Sequence, residues 1–112
     1  MKEKILRESA KEYFDMGNIA YEKKSANSAV ILYFKSLVAL VDLYLLQKTQ
    51  NTPSSHTQRF KITKEIYPKI YDILDKNFPF YQDSYTQKMS LELAEVIKDD
   101  IIVLSKKTNT TL

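Results

Sequence analysis

His56 is the only histidine in the chain, and with Ser54, Ser55 and Arg59 it marks the one stretch where side chains able to do chemistry crowd together. Nucleophilic catalysis needs a base within hydrogen-bond reach of a hydroxyl and a third group that orients the base. Serines in the same short loop as a histidine do not supply that geometry by themselves, so His56 is expected to flank or cap a helix. With no cysteine and no second histidine, a zinc site would have to take its remaining ligands from carboxylates and water. The acidic pairs are equally uninformative. Asp99 and Asp100 are neighbours and diverge by about 100° on a helix. Asp72 with Asp75, and Glu92 with Glu95, share faces as any solvated helix surface does. A single glycine, Gly17, cannot build a phosphate-cradling loop. The expectation is a non-enzymatic protein with no catalytic residues, no cofactor, no metal and no small-molecule substrate.

Charge gives a more specific reading. Between Tyr44 and Tyr71 lie Lys48, Arg59, Lys61, Lys64 and Lys69 against Glu65 alone, a local charge of +4 in a chain whose net charge is +3. His56, Tyr67 and Tyr71 are interleaved with these cations, and aromatic rings among cations can stack on bases. Lys48, His56, Arg59, Lys61, Lys64 and Lys69 are therefore the expected patch for an acidic partner or for RNA.

The elements that must position these residues are helices. One glycine and three prolines punctuate 112 residues, and no alternating β-branched run occurs, a pattern that favours long helices over strands. A first helix is expected over Glu3–Lys24. A second, with Ser25 as N-cap, is expected to run to Lys48, and a third over Ser55–Ile66. Pro68 should start or kink a fourth helix reaching Asn77. Phe78–Thr86 is expected to be an aromatic connection packed on the core, and Lys88–Lys106 a final amphipathic helix. The predicted fold class is all-α: a four- or five-helix antiparallel bundle forming one domain over 1–107, with 108–112 frayed.

The second helix is apolar nearly all round, relieved only by Ser28, Lys35, Asp42 and Thr49 at seven-residue intervals. It approaches the length of a membrane span, but Lys35 and Asp42 would each cost about 2.5–3.5 kcal/mol at a bilayer centre, so no membrane is expected. A helix of this kind belongs at the centre of a bundle or under a partner. Tyr33, Leu37, Leu40 and Tyr44 are accordingly the expected interface, in a homo-oligomer or a subunit of a larger complex. No apolar leader follows Met1 and cysteine is absent, which points to the cytoplasm.

Tyr13, Met16, Gly17, Ala29, Tyr33 and Leu37 are spaced as in one tetratricopeptide repeat, a local likeness that implies a close-packed antiparallel helix pair. The whole layout resembles the HEPN superfamily of small helical bundles. The likeness rests on a charged first helix, a long apolar second helix with Ala29, Tyr33 and Phe34, a polar loop leading into Ser55-His56 and Arg59, and a long amphipathic last helix. HEPN ribonucleases carry an arginine followed four to six residues later by a histidine. Here His56 precedes Arg59 and the only other arginine is Arg7, so the resemblance implies a non-catalytic member. Such members act as partners of nucleotidyltransferases or as interaction and RNA-binding modules.

Overall fold

Local backbone chemistry sets where each helix begins and ends. The computed structural model describes all 112 residues as five helices: α1 (Lys2–Glu22), α2 (Ala26–Thr49), α3 (His56–Ile66), α4 (Pro68–Asp83) and α5 (Leu91–Lys107). The chain is all-α, as expected. α1 stops short of Lys24 because that residue adopts the left-handed conformation, with φ of 60°. Its N–H then donates to the Tyr21 carbonyl and that of Ser25 to Ala20, the bond pair that often closes a helix over glycine. Ser25 occupies the N-cap of α2, but its side chain makes no capping bond.

Ser55, expected as the first residue of α3, is its N-cap, and His56 opens the helix. The Ser55 Oγ accepts from the Gln58 N–H at 3.1 Å, while the Gln58 side-chain oxygen accepts from the Ser54 N–H at 2.5 Å. Pro68 opens α4 at a position where its missing amide proton costs nothing.

The largest departure from expectation is the far end of α4. It does not stop at Asn77 but continues through Pro79 to Asp83, turning most of the expected connection into helix. Proline removes one helical hydrogen bond, to the carbonyl four residues earlier. Here Pro79 and Asp75 are both exposed, so the carbonyl left free has access to water. The continued helix carries Phe78 and Tyr81 back onto α2, where Tyr81 stacks on Phe34 with centroids 4.6 Å apart. α5 begins at Leu91 rather than Lys88, with Ser90 as its N-cap.

α2 is the central element, packed against α1, α4 and α5. It is long and apolar enough to cross a membrane, and 61% of its most apolar window is buried within the fold. Eleven of its 24 residues are buried; Tyr33, Leu37 and Leu40 are 0% exposed. Three of the four residues expected at an interface are therefore covered by the chain's own helices; Tyr44 alone is half-buried. These three lie inside because α1, α4 and α5 together enclose more of α2 than the length of the chain suggested.

α1 approaches α2 closely. Ser36 donates to the Ala10 carbonyl at 2.7 Å in the buried seam, and Gly17 lies against the Tyr33 ring. α4 and α5 are joined by Asp100, which accepts from the Asn77 amide and pairs with Lys76, each at 2.7 Å. In the last residues, expected to fray, Thr108 is buried. Arg7 donates to the carbonyls of Thr108 and Asn109 and to the Thr110 hydroxyl.

Candidate functional site

The polar stripe of α2 does not face a partner helix. α1 packs on α2, as does α4, which carries α3, and among these four helices a cleft of about 380 Å³ opens over Lys35 and Asp42. α1 contributes Leu6, Ser9 and Tyr13 to its walls, α3 and its cap contribute Ser55, His56 and Arg59, and α4 contributes Tyr81. Phe34, Val38 and Ala39 complete the floor.

At one side of this cleft three titratable residues form a chain. Arg59 holds Asp42 with two parallel bonds, Nε to Oδ1 at 2.7 Å and Nη2 to Oδ2 at 2.9 Å. The side chains are 9% and 14% exposed. The fork of a guanidinium matches a carboxylate in this way, and such charge-assisted pairs are stronger than neutral hydrogen bonds. Nη1 of the same arginine lies 2.9 Å from His56 Nδ1. A guanidinium has only donors, so Nδ1 must be the acceptor and the neutral imidazole carries its proton on Nε2. His56 titrates below its ordinary 6.5, first because the fold desolvates it and second because the Arg59 cation stands beside it. Its ring also packs 5.4 Å from Phe78.

The placement divides the expected basic patch. Arg59 is not a free surface cation: it is 7% exposed and neutralised by Asp42. His56 lines the cleft beside it but remains exposed at the rim. Lys48, Lys61, Lys64 and Lys69 are exposed, and none forms an ion pair. Lys48 lies over the Tyr44 ring at 5.5 Å and Lys64 over the Tyr71 ring at 5.7 Å. Near Lys69 a second cleft of about 260 Å³ is lined by Tyr44, Ile66, Tyr67, Pro68, Ile70 and Lys107. Tyr44 and Tyr67 meet there edge to face at 5.3 Å. No family model matches the chain, and no curated protein or solved structure does either.

Neither cleft offers a metal-binding set, since no three His, Asp or Glu side chains come together in the fold. The larger cleft is rich in donors and the smaller one in uncompensated positive charge. Sequence reasoning missed Ser9, Tyr13 and Tyr81 as lining the same cleft as His56. Only Lys35 and Asp42 carried a signal, being the two charged members of the seven-residue stripe.

Proposed function

We propose that this protein is a non-enzymatic binding module, a subunit that docks an acidic segment of a partner protein on the lysine-rich surface at the α3–α4 junction. The observation that carries the reading is a cleft of mostly apolar and aromatic lining that holds Lys69 and Lys107, with Lys48 over the Tyr44 ring at its edge and Lys64 on the neighbouring helix, none of the four in an ion pair. Ile66, 58% exposed at its edge, adds an apolar contact, and buried apolar anchors ringed by charge are the usual anatomy of a protein interface. A second copy of the same surface would be repelled by like charge, which favours a different, acidic chain. Kinship with the non-catalytic HEPN bundles and a cytoplasmic location belong to the same proposal and rest on the sequence alone.

The alternative is RNA. Tyr44 and Tyr71 are half-buried, and each already has a lysine ammonium over a ring face. Base stacking needs open aromatic faces, so these rings favour an acidic peptide over a single strand.

The test is fluorescence anisotropy with a labelled glutamate- and leucine-rich peptide and with a single-stranded RNA, across salt concentration. Peptide binding should weaken steeply with salt, as exposed charge contacts do. It should be lost in Lys48→Glu/Lys64→Glu/Lys69→Glu, and Ile66→Ser should weaken it about tenfold, or about 1.4 kcal/mol. Tighter binding of the RNA would transfer the surface to the nucleic-acid reading, and a triple variant that binds the peptide unchanged would remove the surface altogether.

A further inference from the structure

The cleft between α1 and the α3–α4 pair has an asymmetry that a mere packing defect would not require. Its charged groups do not cancel: Asp42 is consumed by Arg59, while Lys35 is exposed and makes no ion pair. One positive charge is left over. The hydrogen-bonding inventory leans the same way. A guanidinium has five N–H donors, and Arg59 directs one from each nitrogen at Asp42 or His56, leaving two. The neutral His56 presents Nε2–H, and Lys35 brings an ammonium. On the acceptor side each Asp42 oxygen already receives an Arg59 hydrogen, and what remains are the neutral hydroxyls of Ser9, Tyr13, Ser55 and Tyr81, which donate as well as accept. The rest of the lining is apolar and aromatic: Leu6 on the α1 wall, Val38 in the floor, and Tyr81 on the α4 wall, stacked at 4.6 Å over the buried Phe34.

We infer that this cleft binds a small organic monoanion with a flat apolar body, an aromatic carboxylate in chemical class. The carboxylate is met by Lys35 and by the free donors of Arg59 and His56, and the ring lies along the half-buried Leu6, Val38 and Tyr81. The volume, about 380 Å³, falls at the small end of ligand pockets, which admits one fused ring system rather than a polymer. Specificity comes from how the arginine is held. Asp42 fixes the guanidinium in one orientation and cancels its charge, so the site discriminates by directed hydrogen bonds plus one mobile ammonium. A cationic isostere would face Lys35 without a free carboxylate to receive it. This site is separate from the lysine-rich surface, and either can stand without the other.

Amide-resolved NMR titration of the whole chain with naphthoate tests the proposal, with naphthylmethylammonium as the cationic isostere. The backbone signals of Lys35, Val38, His56 and Arg59 should shift and saturate together. The cation should bind at least about tenfold more weakly, and Lys35→Gln should weaken naphthoate about tenfold, or about 1.4 kcal/mol. Lys35 is exposed, so this variant keeps the fold, and Lys48→Gln on the other surface should leave the affinity unchanged. Three results would each overturn the proposal: shifts confined to the Lys48–Lys69 end, equal affinity for the cation, or an unaltered affinity in Lys35→Gln.

Discussion

Replacing Gly17 with alanine sets two forces of opposite sign against each other. Gly17 lies inside α1, where exchange of glycine for alanine ordinarily stabilises by about 1 kcal/mol. A Cβ at this position, however, would stand 2.5 Å from Cδ1 and 2.7 Å from Cε1 of Tyr33. Carbon atoms in contact prefer about 3.5–4.0 Å, so the overlap is about 1 Å. The ring cannot step aside easily. Tyr33 is fully buried, its hydroxyl donates to Asn18 Oδ1 at 2.5 Å, and Phe14 packs 6.0 Å away. Overpacking of this kind costs about 1–3 kcal/mol. The net expectation is a loss of up to about 2 kcal/mol, the overlap outweighing the propensity gain because the ring is held on all sides. Urea unfolding followed by far-ultraviolet circular dichroism would show a lower midpoint with an unchanged slope. The same substitution in a Tyr33→Leu background should lose its penalty, giving a coupling of at least about 1 kcal/mol in the double-mutant cycle. A stabilised Gly17→Ala single variant would refute the close approach of α1 to α2 and leave helix propensity as the whole story.

Two further predictions concern the charged chain in the larger cleft. Asp42→Ala would strand the Arg59 cation at 7% exposure, and breaking a buried pair from one side costs about 3–5 kcal/mol. The double replacement Asp42→Leu/Arg59→Met should recover most of that loss, and a urea midpoint that stays low in the double variant would show that the pair does more than neutralise itself. The second concerns pH. His56 is desolvated, stands beside Arg59, and is further opposed by Lys35 though favoured by Asp42; the balance puts its folded pKa below 6.5. The unfolded chain therefore takes up the proton first, so its contribution to stability is complete above 6.5 and is lost as pH falls through the folded value. Thermal melts across that window should show His56→Gln with a flatter acid limb than the parent, and an identical limb would mean that His56 titrates alike in both states.

Much of the architecture was legible because it is written locally. Pro68 announces a helix start through its missing proton and Ser55 lies one residue from the start of α3, whereas the capping hydroxyl of Ser90 was passed over for a start at Lys88. Pro79 was misread because sequence shows the lost hydrogen bond but not that the orphaned carbonyl would lie on an exposed face. Lys24 was missed for a related reason: a left-handed closure usually advertises itself with glycine or asparagine, as Asn109 does after α5, and lysine gives no such sign. The site was legible only in halves. The seven-residue stripe singled out Asp42, and charge counting singled out Arg59, yet their pairing spans a loop and 17 positions. Local patterns do not encode that distance. Counting Arg59 as a free cation was the direct result.

The way α3 is held has a consequence for motion. This helix packs mainly on α4, and only Arg59 and Thr63 of its residues are buried. Its principal polar tie to the central helix is the Arg59–Asp42 pair. Segments with few buried apolar contacts open locally at a lower free energy than the global unfolding transition. Amide hydrogens of α3 would therefore exchange ahead of those in α2, in a subglobal opening that leaves the rest of the bundle closed. One wall of the larger cleft would then swing on the timescale of that opening, and any molecule bridging Lys35 and His56 would slow exchange along the whole of α3 by tying its first turn to the central helix.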